Sequence, residues 1–274
     1  MLKPTALLAA GLILLPLAAA QAQASKGFSR EGARSQVARP NPINKFHAID
    51  RVLGSMPGAK DALWTDYLNK CQSDVDPDDY SDSKVAIPAL LGIRICDGVM
   101  AIKARNAEKL NACADDIEKL AKKMGVKDSE MTGARKVRIY ANNGEWNRVV
   151  LELGELQQDI EAAQAGGADA KKILYAAGWL QGARYYSTIV HEHYSPDLSS
   201  LLREPLFVRS LAEDLRSSRT ATVESAIVQQ LLASLDKVAG LVDVPINTAL
   251  SKEQVEQMFE STTTTVQGCV DSAR

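Results

Sequence analysis

Two stretches of the chain are apolar on nearly every helical face, and nowhere do apolar and polar residues alternate over a useful strand length. The first, Val85-Ala-Ile-Pro-Ala-Leu-Leu-Gly-Ile-Arg-Ile-Cys-Asp-Gly-Val-Met-Ala-Ile102, is opened by Ser83, and its Pro88 is tolerable in a first turn. The second runs from Asp169 to about Tyr194, spreads Ile173, Leu174, Trp179, Leu180, Ile189 and Val190 around its circumference, and breaks at Ser195-Pro196. A helix without a polar stripe has no face to give to water, so each belongs at the centre of other helices.

The neighbours are striped instead. Leu110, Cys113, Ile117, Leu120 and Met124 recur at helical spacing up to Gly125, which reads as a helix C-cap. Trp146, Val149, Val150, Leu153, Leu156 and Ile160 do the same up to Gly166-Gly167. Further helices are expected around Leu198–Arg203, Pro205–Ser217, Thr222–Val242 and Ser251–Ser272, the last with a frayed Ser261–Thr265 stretch of poor helix formers. Aromatic residues at 5% against hydrophobics at 46% agree with helix packing rather than sheets. The expectation is an all-α fold, a multi-helix bundle of about eight or nine helices around two central apolar helices, 85–103 and 169–194. Gly178 and Gly182, four apart, let another helix approach one face closely.

The N-terminus reads as a secretory signal peptide. Lys3 precedes an uncharged apolar run from Thr5 to Ala20 and the small-residue sequence Ala20-Gln-Ala-Gln-Ala24. Pro16 interrupts that run, which is shorter than the roughly 20 residues of a membrane span, and the first cysteine is Cys71. Cleavage after Ala24 is preferred to cleavage after Ala22. The expected organisation is a leader over 1–24, a flexible polar linker over 25–44 and a single helical domain over 45–274, exported to a periplasm or secreted, with no membrane span in the mature chain.

Loss of the leader removes one positive charge from a formal net charge of -2. The remaining charges alternate in sign without a basic stripe, so no nucleic-acid partner is expected. Four cysteines, Cys71, Cys96, Cys113 and Cys269, lack CxxC and CxxCH spacing, which excludes a haem attachment and a thioredoxin-like pair. If 85–103 and 107–124 form a hairpin turning at Arg105-Asn106, Cys96 and Cys113 lie at comparable heights and make the expected disulfide, with buried free thiols as the alternative.

Three polar constellations carry the candidate chemistry. Arg94 and Asp97 sit inside the first apolar helix and Arg184 beside Tyr185 in the second, and a buried charge demands a partner. Either Asp97 neutralises Arg94 within its own helix, or Arg94, Arg184, Tyr185 and His191 line one pocket for a small anionic ligand, where the planar guanidinium fork suits a carboxylate or phosphate. His191 and His193 are candidate metal ligands near a carboxylate such as Glu192 or Asp197, although residues two apart on a helix diverge by about 200°. The ordinary reading is histidines favoured by a helix C-terminus. The acidic loop Asp74-Val-Asp-Pro-Asp78 departs from a calcium loop, with Asp79 at the glycine position and Val85 at the bidentate glutamate position.

No nucleophile elbow, Walker loop or dinucleotide fingerprint is present. The leading expectation is therefore an exported, soluble helical protein of the cell envelope that binds a partner protein or small ligand. A metal-dependent hydrolase using His191 and His193, and a purely structural interaction module, are the alternatives. No complete cofactor motif is found, and the cofactor, like the ligand, stays unidentified at the level of sequence.

Overall fold

In the computed structural model of the chain the residues described are 42–54, 63–127, 131–153 and 167–274. The expected leader lies outside them, as does the expected linker up to residue 41. Every regular element among the described residues is helical and none is a strand. In chain order they are α1 (Pro42–Gly54), α2 (Leu63–Cys71), a 3-10 turn (Pro77–Asp79), α3 (Ala86–Lys103), α4 (Ala107–Lys123), α5 (Thr132–Asn142), α6 (146–153), α7 (Gly167–Glu192), α8 (Pro196–Ser200), α9 (Pro205–Arg216), α10 (Thr220–Val223), α11 (Ala226–Leu241) and α12 (Lys252–Ala273).

There are more helical pieces than the eight or nine expected, for a local reason. Ser225 accepts a hydrogen bond from Val228 N at 3.4 Å and so caps α11, which separates it from the short α10 where one helix over 222–242 was expected. α1 in turn starts at Pro42, inside the expected linker, because proline is suited to a first turn.

α3 buries every residue except Ile95 and Lys103. Ser83 opens it by accepting from the amides of Val85 and Ala86 at 3.3 and 3.1 Å. It runs in the same direction as α7 and touches it backbone to backbone: a Cβ on Gly92 would lie 2.1 Å from the Leu174 carbonyl oxygen, and one on Gly178 would lie 2.9 Å from the Gly92 carbonyl oxygen. One turn further on, a Cβ on Gly182 would meet Cys96 Sγ at 3.5 Å. α4 returns antiparallel along α3 after a turn in which Arg105 takes a positive φ of 51° and Asn106 accepts from Lys109 N at 2.9 Å.

α12 packs on α7 and α11, and α11 on α9, so that one contiguous core runs from Phe46 to Ala273. The Ser261–Thr265 stretch lies within α12 rather than at a frayed end. Thr262 is fully buried there, donating to Met258 O at 2.9 Å and facing Ser187 of α7 at 3.4 Å. A hydroxyl that back-bonds to its own helix and packs against a polar residue of the next makes the β-branched residue acceptable. Among the described residues no helix is long and apolar enough to cross a membrane.

Candidate functional site

The polar residues inside α3 and α7 meet at one buried point. Asp97 has no solvent exposure, and its two oxygens are filled from three directions. Oδ1 accepts from Gln181 Nε2 at 2.5 Å and from Tyr185 Oη at 2.8 Å, both on α7. Oδ2 accepts from Ser73 N at 3.2 Å, just past α2, and from Arg94 Nη1 at 3.2 Å, one turn back on α3. The spacing explains the geometry: Gln181 and Tyr185 are four apart on one face of α7, and Arg94 and Asp97 three apart on one face of α3.

Arg94 is itself engaged on several sides. Its Nη1 also donates to Ser73 O at 3.2 Å, Nε donates to Asp116 Oδ2 at 3.0 Å, and Nη2 donates to the same oxygen. Gln181 Nε2 donates in addition to Cys71 O at 2.9 Å. The network therefore ties the end of α2, α3, α4 and α7 together through two carboxylates and one guanidinium. Gln181 Oε1 and Ser73 Oγ are its two buried atoms without a partner among the described residues. Burial alone would lower the Arg94 pKa, but Cys113, Asp97 and Asp116 outweigh it and push it up. Burial pushes the Asp97 carboxyl above the ordinary carboxylate value, and Arg94, Gln181, Tyr185 and the Ser73 amide limit the rise.

The residues expected to form one anion pocket are thus only partly brought together. Arg94 and Tyr185 share Asp97. Arg184 does not join them: it is half-buried, its side chain makes no ion pair among the described residues, and its charge is felt by the Cys71 thiol, which burial nevertheless raises. His191 lies at the far end of α7, exposed, with its ring stacked 5.2 Å from Phe259 of α12. Arg94 faces carboxylates of the chain itself, which removes the need for a bound anion that its burial implied.

The two histidines of the expected metal pair face different neighbours. His191 lies on Phe259, whereas His193 sits edge-on to Tyr67 of α2 at 6.3 Å. The helix continues through Glu192, so the two rings diverge. Glu192, between them, accepts from Tyr67 Oη at 2.7 Å and pairs with Lys70. Among the described residues no group of three His, Cys, Asp or Glu side chains is arranged to hold a metal ion.

The expected disulfide is absent, and all four cysteines are free and buried. Cys96 Sγ points to Gly182 on α7, while Cys113 packs against Gly98, whose Cβ position would be 3.7 Å from Cys113 Cβ. Positions 96 and 98 are two apart on α3, so the residue facing α4 is the glycine and not the cysteine.

Two open depressions mark the surface near these groups. One of about 340 Å³ is lined by His191, Glu192, Tyr194, Lys252, Val255 and Glu256. Another of about 450 Å³ on the outer face of α4 is lined by Asp115, Asp116, Glu118, Lys119 and Lys122 with Ala112. Sequence reasoning did not find Asp116, Gln181 or Ser73. Asp116 sits in the polar half of a striped helix and looks like any solvated carboxylate, but Gln181 is a polar residue amid an apolar run and signalled itself as Arg94 did. No family model matches the chain, and no curated protein or solved structure matches it either.

Proposed function

We propose that the chain is an exported, soluble helical protein of the cell envelope that works by binding a partner protein through its surface. The observation that carries this reading is the engagement of Arg94 by Asp97, Asp116 and Ser73 O, because it turns the buried charged cluster between α3 and α7 into a brace rather than a receptor. Recognition is then left to the outside. Leu206 and Ile246 are 73% and 76% exposed at the place where α9 meets the loop between α11 and α12, bracketed by the Arg203 bond to Val244 O and the Arg209–Asp243 pair. Ile246 is presented by a turn in which Thr248 N donates to Pro245 O at 3.1 Å and Asn247 takes a positive φ of 66°. Export rests on the leader sequence.

The test has two parts. The protein recovered from the envelope or medium of the producing cell is expected to begin at Ser25, and recovery of uncleaved chain from the cytoplasm alone would end the export reading. A photo-crosslinking residue at Leu206 or Ile246 is expected to give a discrete adduct that excess unlabelled protein competes away, with no such adduct from the exposed Glu253. Arg184, half-buried and without an ion pair among the described residues, favours one second reading, a small anion held at the surface. Thermal stabilisation by phosphate that disappears in Arg184→Ala would support it.

A further inference from the structure

α1 sits in the bundle the way a bound peptide sits in a groove. Its buried side consists of Phe46, Ile49 and Leu53, at positions i, i+3 and i+7, while Asn44, His47, Asp50, Arg51 and Gly54 face solvent. Three such anchors on one stripe are the pattern by which amphipathic helices dock into hydrophobic grooves. Phe46 fills an aromatic pit supplied by two other helices, with ring centroids 5.6 Å from Trp64 of α2 and 6.2 and 4.9 Å from Tyr185 and Tyr186 of α7.

Charges flank the aromatic anchor on both sides. Lys45, just before the anchor, pairs with Glu204 at 2.6 Å and lies over the Tyr186 ring at 5.2 Å. Asp50, four residues after the anchor, receives Lys103 Nζ at 2.8 Å and Trp64 Nε1 at 3.0 Å. The receiving groups therefore form a code: an aromatic pit with an acid on one side of it and a cation on the other. They stand on α2 (Trp64), α3 (Lys103), α7 (Tyr185 and Tyr186) and at the start of α9 (Glu204), none of them on α1 itself. α1 also precedes every other described element, and its withdrawal interrupts no other helix. Burial pushes the Lys45 ammonium below the usual lysine value, a cost of docking that Glu204 offsets only in part.

We propose that this groove is a helix-binding site, with α1 as its intramolecular occupant, and that its ligand is an amphipathic helix of a partner protein bearing an aromatic anchor, aliphatic residues three and seven positions on, a cation just before the anchor and an acid four after it. This rests on the interaction-protein reading and adds the partner chemistry and an autoinhibitory role for α1. An aromatic pit with oppositely charged ends selects both the anchor and the direction of the helix, which a plain apolar groove does not.

The test uses the full chain and a fluorescein-labelled peptide of residues 42–54. The peptide is expected to bind the Phe46→Ala chain saturably and the wild-type chain about tenfold more weakly or less, since native α1 competes for the site. A peptide carrying Phe46→Ala should not bind. Charge reversal guards against a variant that fails to fold: the Glu204→Lys chain should prefer a Lys45→Glu peptide to the natural one. In the wild-type chain, hydrogen exchange at Phe46–Leu53 should be about tenfold or more faster than at Ile93–Ile102, through opening of α1 alone. Exchange as slow as that of α3, or no peptide binding to either altered chain, overturns the proposal. So does a wild-type dimer that the peptide dissociates, since the occupant would then be α1 of a second copy. Failure of the Leu206 and Ile246 crosslinks with intact peptide binding would instead remove those residues as the partner face and leave the groove standing.

Discussion

The middle of α7 and its C-terminal end both carry polar groups, and they use them in opposite ways. At the middle, Gln181 and Tyr185 give their hydrogen bonds to one fully buried carboxylate that also holds Arg94. At the end, His191, Glu192 and His193 diverge toward α12 and α2 and meet solvent between them. The difference lies in the neighbours. α3 runs alongside the middle of α7 at glycine distance and excludes water there, so each polar atom must find a protein partner. The last turn of α7 has no such neighbour on all sides, and its ion pair with Lys70 remains half in water, where such pairs contribute little.

Gly92→Ala should break this contrast most severely. The new Cβ would press on the Leu174 carbonyl oxygen at 2.1 Å, a backbone atom that cannot swing aside, so α3 and α7 must part. A loss of more than about 4 kcal/mol, or no cooperative transition at all in urea, is expected. Gly240→Ala is the control: nothing lies within 4 Å of its Cβ position on α11, and a gain of up to about 1 kcal/mol is expected from the better helix former. Equal behaviour of the two variants would remove the close α3–α7 crossing.

Next in size is the carboxylate pair. Asp97→Ala strands one side of Arg94 and leaves Gln181 and Tyr185 without their acceptor, at a cost of about 3–5 kcal/mol. Glu192→Ala, at the end of the same helix, should cost less than about 1 kcal/mol. Urea titrations of the two variants decide it, and similar losses would erase the distinction between middle and end.

Alkaline pH sharpens the comparison further. Burial raises the Cys113 and Cys269 thiols to about 12 from an ordinary 9.0. A raised folded-state pKa means the folded chain holds its protons while the unfolded chain releases them, so stability is full below about pH 9 and falls as pH rises toward 12. The melting temperature followed from pH 8 to 11 should drop progressively, and by less in Cys269→Ala measured against its own value at pH 8. The smallest effect belongs to the far end of α7: His191→Ala with His193→Ala should move the melting temperature by no more than about 2 °C, and added zinc should change neither protein.

The helical class was legible because α3 and α7 carry no polar stripe and no strand period competes with them. Helix ends were legible where chemistry is local: Ser83 bonds the first amides of α3, and Gly125 takes the positive φ that follows the last turn of α4. The interior site was half legible. Arg94 and Asp97 announced that a buried charge needed a partner, and Tyr185 was placed beside them, but nothing local shows that Asp116, twenty-two residues away on a striped helix, turns inward to the same guanidinium. Nor does spacing show which of Cys96 and Gly98 faces α4, since both lie at the height of Cys113 and only the rotation of α3 against α7 decides it. Rotation is set by the Gly92–Gly178 crossing, a long-range contact that no window of the sequence contains.

The claim that the interior polar cluster is a self-contained brace is tested most directly by a double-mutant cycle in urea with Arg94→Met, Asp97→Asn and the pair combined. If Arg94 and Asp97 neutralise each other as the geometry has it, the two losses should fall short of adding by about 1.5 kcal/mol or more, because the second substitution removes a charge already stranded by the first. Additivity within about 0.5 kcal/mol, in this cycle and in the matching cycle of Arg94→Met with Asp116→Asn, would mean that Arg94 answers to neither carboxylate, and the brace would have to be abandoned.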